Sequence, residues 1–258
     1  MKQYIQNFKK FQPLLEELVA RDIKIKYRRS VLGVLWTLLN PLLMMIVLSV
    51  VFSNLFKFDV ENFPLFILSG QVIFNFFSES TTNAMGAILG NASLIRKIYV
   101  PKYLFVISRI FSSFINLMAS FTALLLVMVV TRAELHWTVI LVPIPLVLLV
   151  AFSMGIGLIL SAIAVKFRDI MHLYSVFITA LMYLTPVIYP MSILPNGLTP
   201  IVELNPITNI MLMFRDVMLY NTIFGWKSII IAIVEAGLAL VIGLRVFYKA
   251  QDEFILNI

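Results

Sequence analysis

The chain has 258 residues, 61% hydrophobic and 13% charged, with a mean hydropathy of +0.98 and a formal net charge of +7. A soluble domain carries about 45–50% apolar and about 25% charged residues, so this composition excludes a water-soluble fold and leaves a polytopic membrane protein. Cations in such a chain mark the cytoplasmic face rather than a nucleic-acid partner, and the absence of cysteine removes disulfides, thiolate metal sites and cysteine nucleophiles together.

The first residues, MKQYIQNFKKFQPLLEELVARD, are mixed polar and apolar, carry Glu16, Glu17 and Asp22, and contain no long apolar core, so no cleaved signal is expected. Phe8, Phe11, Leu15 and Leu18 recur at helical spacing and lead into the basic run RDIKIKYRRS. This pattern predicts an amphipathic helix along the inner membrane surface, within an interface segment 1–33. Its basic face either anchors to lipid or meets a substrate.

A helix needs about 20 mostly apolar residues to cross the hydrocarbon core. Residues 34–56, 103–131, 138–165, 173–189 and 228–248 qualify readily. A sixth span, 63–85, is interrupted by SESTTN at 78–83, whose polar groups must face protein or water. Asn40 and Pro41 interrupt the first span, where a proline frees a carbonyl and predicts a kink. Residues 206–224 are ambiguous, because a span there would strand Arg215 and Asp216 near mid-membrane. With six spans, only Lys57, Arg132, Arg215 and Lys227 fall outside, and both termini are cytoplasmic. The expected fold is therefore all-α, with six transmembrane helices in a domain 34–258. Short re-entrant helices occupy an outer region 190–225, and a cytoplasmic tail covers 249–258. No internal repeat is visible, which counts against transporters built by duplication.

Little in the chain suggests chemistry of its own. The pattern G-x-x-x-x-G-K-[ST] is missing, so nucleotide is not cradled by the P-loop route. His136 and His172 fall on opposite sides of the membrane and cannot share a metal. Asp59 and Glu61 sit in a short outer loop without suitable cations, so no catalytic residue and no metal ligand is assigned. Glu79 and Glu235 are acids within apolar spans, expected near the outer interface and too isolated to form a proton relay. Arg109 is expected to snorkel to the inner interface.

The connector 91–104 reads NASLIRKIYVPKYL. Arg96, Lys97 and Lys102 keep it out of the bilayer, which leaves Leu94, Ile95, Ile98, Tyr99 and Val100 as apolar groups at the water interface. An apolar surface with a basic rim predicts a protein contact. The second cytoplasmic loop, VKFRDI at 165–170, is too short to contain a soluble domain. There Arg168 and Asp169 lie beside a helix start, where an acid suits the dipole, and either pair with each other or meet a partner.

Five stretches in this order resemble the permease subunits of ABC exporters for cell-surface polysaccharides, of the O-antigen and teichoic acid type, within the broader ABC-2 class. They are RDIKIKYRRSVLGVLWTLLNPLL at 21–43, LIRKIYVPKYL at 94–104, VKFRDI at 165–170, TPVIYPMSILP at 185–195 and ELNPITNIMLMFRDVML at 203–219. The resemblance implies a non-enzymatic transport subunit in a bacterial cytoplasmic membrane. It also implies a second copy of the chain and two ATPase subunits that bind the ATP and Mg, with no cofactor in this chain. Ser93, Leu94, Ile95, Arg96, Lys97, Ile98, Tyr99, Val100 and Pro101 match the coupling helix seated in the ATPase. The stretch ending at Arg28 and Arg29 is similar to the interface helix that would meet a lipid-linked pyrophosphate.

Sugars present apolar ring faces rimmed by hydroxyls, so a glycan channel benefits from aromatic surfaces. The candidates are Phe52 and Phe56 in span one, Phe74 and Phe77 in span two, and Tyr174, Phe177 and Tyr183 in span five. An ABC-2 exporter of drugs or small lipids, and a gradient-driven lipid flippase dependent on Glu79 or Glu235, remain as alternatives.

Overall fold

The computed structural model describes residues 2–28, 30–33, 35–56, 60, 62–195 and 197–257, and the side chains of 11–28, 30–33, 35–52, 60, 62–195 and 197–255. The side chains of Phe8 and Phe56, together with Arg29, Lys57, Asp59 and Glu61, lie outside the described residues. Among the described residues the chain is helical with no strand. The N-terminal helix α1 covers Lys2–Tyr27, followed by α2 at Leu35–Phe56 and α3 at Phe63–Met85. A short turn of helix, α4 at Ala92–Ile95, leads into α5 at Tyr103–Val130, α6 at Pro143–Lys166 and α7 at Ile170–Leu184. Then come α8 at Thr199–Glu203, α9 at Pro206–Met218, α10 at Trp226–Ala250 and α11 at Phe254–Asn257.

Among the described residues, four stretches are long and apolar enough to cross a membrane by length and composition: Leu35–Phe52, Tyr103–Val130, Trp137–Lys166 and Trp226–Glu253. The other two expected spans differ from these for separate reasons. Helix α3 carries the polar run 78–83, yet it is the buried centre of the bundle, packed by α2, α5, α6, α7 and α9. Its hydroxyls turn back onto their own helix: Ser80 and Thr81 donate to the Phe77 carbonyl at 3.2 and 2.6 Å. That arrangement satisfies donors which lipid would leave bare.

Helix α7 ends at Leu184, and its 15 residues rise about 22 Å, short of a hydrocarbon core of about 30 Å. Pro186 causes the early stop, because the residue before a proline is driven to extended backbone, and Thr185 sits at φ −108° and ψ 134°. Helix α2, by contrast, continues through Pro41.

Close backbone approach holds α6 to α10. A Cβ on Gly155 would lie 2.3 Å from the Ala239 carbonyl carbon, and one on Gly243 would lie 2.4 Å from the Gly155 oxygen. Small residues serve this purpose in membranes, where apolar burial does not drive helices together. The turn between α1 and α2 uses Gly33 at φ +49°, whose N–H donates to Ser30 Oγ at 3.0 Å.

The connectors gather at two ends of the bundle. Lys102 donates to the Gln251 carbonyl and stands over the Phe254 ring, while Lys166 meets Glu253 at 3.4 Å. The α3–α5 connector, the α6–α7 turn and the C-terminal tail therefore share one end. At the other end, Thr138 donates to the Val217 carbonyl at 2.8 Å and thereby joins the α5–α6 connector to α9.

Candidate functional site

Helix α3 carries a polar ladder at helical spacing, Gln71, Asn75, Ser78 and Thr82, beside Glu79 and Asn83. Residues at i, i+4, i+7 and i+11 stand on one face, so these groups form the floor of a furrow of about 820 Å³. Helix α2 contributes Trp36, Thr37 and Asn40 to its wall, α5 contributes Asn116 and Ser120, and Met182 and Val187 close it from the α7 side. Lys26 and Tyr27, at the end of α1, stand at one end of the furrow. Amides and hydroxyls share this lining with the apolar Trp36, Pro41, Met44, Phe74, Met182 and Val187.

The furrow holds one ion pair, Lys26 Nζ to Glu79 Oε1 at 2.7 Å. Asn116 Nδ2 donates to the same oxygen at 2.7 Å, and the Tyr27 hydroxyl donates to Asn116 Oδ1 at 3.4 Å. Burial pushes the Tyr27 phenol above its ordinary pKa, with the neighbouring Lys26 charge opposing. The pairing with α1 places Glu79 at the end of α3 remote from Phe63. Glu79 therefore shares the α1 end of the bundle, engaged by Lys26 and Asn116.

A second cluster fastens α1 one turn earlier. The buried Asp22 carboxylate meets Arg21 at 3.0 Å and Arg109 at 3.3 Å, and Arg21 also donates to Asn91 Oδ1 at 2.9 Å. Arg109 thus pairs with α1 instead of snorkelling. The basic face of α1 is divided as a result: Arg21 and the still-exposed Lys26 meet groups of the bundle, whereas Lys24 and Arg28 point away from it.

At the opposite end of α3 the guanidinium of Arg215 on α9 is fully buried, with 1% exposure. It donates to the carbonyls of Pro186 at 2.7 Å, Phe66 at 3.0 Å and Val187 at 3.1 Å, and to Ser69 Oγ at 3.2 Å. The Phe66 ring lies 3.6 Å from its centre. Its partners are the carbonyls freed where α7 stops at Pro186 and a turn of α3. One cation thereby ties α9, α7 and α3 together. Gly70 makes room for it, since a Cβ there would sit 2.6 Å from Arg215 Nη2 and 2.9 Å from the Val187 oxygen.

The connector residues form a compact exposed knuckle. Ile95 is buried, and Leu94, Val100 and Pro101 are half-buried; Ser93, Arg96, Lys97 and Ile98 are exposed, and Tyr99 is 97% exposed. Arg168 and Asp169 are both exposed, and no ion pair joins them among the described residues. Beside them, Phe167 is also exposed.

The sequence-selected aromatics divide by position. Phe177 and Tyr183 are exposed on α7, and Phe74 is buried yet borders the furrow. Phe77 is buried and stacks on Phe152 with centroids 5.7 Å apart. Tyr174 is buried, donates to Thr81 Oγ1 at 2.6 Å and stacks on Phe177. Phe52 packs beside Phe63 and Phe66. No group of three or more metal-ligating side chains converges among the described residues.

Sequence reasoning missed the ladder of Gln71, Asn75, Ser78 and Thr82, although its spacing was visible as a polar stripe on an apolar helix. It also missed the roles of Lys26 and Arg215.

A polar furrow framed by apolar helices of membrane length marks an integral membrane protein. The model of the ABC-2 type transporter family matches residues 13–219, and the chain belongs to that family. It is 26% identical over 245 residues to the O-antigen export system permease protein RfbA of Klebsiella pneumoniae, covering 93% of each chain. The RfbA of Myxococcus xanthus is 28% identical over 246 residues, covering 95% of each. The polysialic acid transport protein KpsM of Escherichia coli is 23% identical over 246 residues, covering 94% of this chain and 95% of its own.

Proposed function

We propose that this chain is the membrane-spanning subunit of an ATP-driven exporter that moves a lipid-linked polysaccharide, such as O-antigen, teichoic acid or a similar glycan, across the bacterial cytoplasmic membrane. Similarity along nearly the whole chain to permeases named for O-antigen export and polysialic acid transport carries the reading. ATP and Mg are bound by two separate ATPase subunits, and this chain transmits their motion.

The surface chemistry supports each part. Ile98 and Tyr99 stand exposed just after Arg96 and Lys97, and an apolar tip with a basic rim suits a cleft in a soluble subunit. The region 93–101 is the coupling element, with Arg168 and Asp169 beside it. The cations at this end support a cytoplasmic setting for it and for both termini. Helices α2, α3, α5, α6 and α10 cross the membrane, α7 with the residues that follow it to 189 makes the sixth crossing, and α8 and α9 form a re-entrant hairpin at the outer face. Burial of α9 against α3, α6 and α10 supports that hairpin, because backbone at membrane depth must be covered by protein.

Helices α2 and α7 leave Leu43, Val47, Val50, Leu173 and Val176 exposed, which favours pairing with a second copy along those faces. The paired chains enclose the glycan path. Phe177 and Tyr183 face it, Phe74 borders it, Phe52 extends it, and Phe77 and Tyr174 support it from behind. Arg28, with Arg29, meets the pyrophosphate of the lipid carrier at the inner surface.

Deleting the gene in its native cell tests the reading. The expected result is loss of the surface polysaccharide with accumulation of the same glycan inside, reversed by restoring the chain. Undiminished surface polysaccharide would contradict it.

A further inference from the structure

The furrow has features that a lipid-facing crevice lacks. Gln71 is 4% exposed, lines the furrow, and its Oε1 atom has no hydrogen-bond partner. A buried acceptor without a donor is costly, so this oxygen calls for a ligand that brings one. Asn75, one turn further along, is exposed in the chain alone, and Ser78 and Thr82 continue the row. From Gln71 to Thr82 the ladder rises about 16 Å, several times the length of a single hydrogen-bonding group. Opposite it, Trp36 is 45% exposed and offers an aromatic face, with Asn40 one turn along α2.

Charge narrows the ligand class. The one carboxylate lining the furrow, Glu79, is already engaged by Lys26 and Asn116, so the furrow presents neutral donors and acceptors to anything inside it. An acyl chain would leave Gln71 and Asn75 unsatisfied, and an anion would find only the paired Lys26 at the far end. A neutral polyhydroxyl chain satisfies the row of amides and hydroxyls along its edges and stacks a ring face on Trp36.

We propose that this furrow is a binding track for a neutral stretch of glycan, with Gln71 Oε1 accepting from a sugar hydroxyl, Asn75, Ser78 and Thr82 continuing the row, and Trp36 as the stacking platform. The inference rests on the polysaccharide-export reading. It moves the specific contacts with sugar from aromatic side chains to a polar ladder on α3. Because several equivalent donors and acceptors repeat along the ladder, a chain can step from one set to the next without a deep minimum. Lys26 and Tyr27 bound the track at the end where the lipid-linked substrate enters.

The chain has no cysteine, so single-cysteine variants report one position each. In cells carrying the full transporter, labelling of N75C by a small water-soluble maleimide is compared between cells making the glycan and cells blocked in its synthesis. T82C provides a second position, and V129C, on an exposed part of α5 outside the furrow, reports reagent access. The expected result is that glycan supply lowers labelling of N75C and T82C about fivefold, as for a ligand that buries most of its surface, and leaves V129C unchanged.

Equal labelling with and without glycan, in variants that still display surface polysaccharide, would overturn the track while leaving the export reading intact. So would the absence of labelling at both ladder positions in either cell. Gln71→Met, which keeps the length and removes the acceptor, should lower surface glycan about fivefold at matched membrane abundance. Wild-type display in that variant would also count against the track. Failure of the export reading itself is distinct: it appears as normal surface glycan in the gene deletion.

Discussion

At one end of α3 the Arg215 guanidinium is sealed among backbone carbonyls with 1% exposure, whereas at the other end Lys26 meets Glu79 with 45% and 32% of the two side chains exposed. Both cations join a second element to the same central helix, and both lie in segments that are not among the membrane-length apolar stretches. The difference is in what replaces water. Arg215 has exchanged its hydration for fixed dipoles, so its removal takes the guanidinium donor from the buried Pro186 and Val187 carbonyls together. Lys26 and Glu79 keep access to solvent, and screening makes their bond weak and exchangeable. The first arrangement builds a permanent joint at the α9 end, and the second is an exchangeable contact at the end of α1, beside the buried Asp22 cluster that fastens the helix.

Substitutions should separate the two ends by magnitude. Arg215→Met, which removes the cation and leaves the Pro186, Phe66 and Val187 carbonyls buried, should destabilise the purified protein by roughly 3–5 kcal/mol, read as a large fall in the thermal unfolding midpoint. An unchanged midpoint would mean that the joint is not structural. Gly70→Ala attacks the same joint from α3, with a Cβ 2.6 Å from Arg215 Nη2, and should cost about 1–3 kcal/mol in the same assay. At the other end Glu79→Gln should cost less than about 1 kcal/mol, and the difference from wild type should vanish in high salt. A loss at Glu79 as large as that at Arg215 would erase the distinction between the ends.

These cases also mark what a single sequence discloses. The spans α5 and α10 were legible to within two residues because long apolar runs report membrane helices directly. Helix α3 was legible as an element but weak as a span, since its polar groups are covered by neighbouring helices that no local window sees. The end of α7 was written in Pro186, although the apolar run carried the expected helix on to 189. Pairings such as Asp22 with Arg109, or Arg215 with the carbonyls at 186 and 187, join distant segments and leave no periodic trace. Of the candidate site, the exposed connector was foreseen from its mixed composition. The furrow is not legible in the sequence, because a polar stripe on an apolar helix becomes the floor of a cavity only once α2 and α5 stand beside it.

In the proposed transporter, force reaches this bundle from a separate ATPase through the knuckle at 93–101. The most direct measurement is capture of the chain from its native membranes in mild detergent, followed by mass spectrometry, with wild type and the double charge reversal R96E/K97E side by side. A P-loop ATPase recovered with the wild type at equal ratio, and depleted at least about tenfold in the double variant, is the predicted result. Recovery of the wild-type chain without any ATPase, or an ATPase that follows the charge-reversed chain equally well, would contradict it.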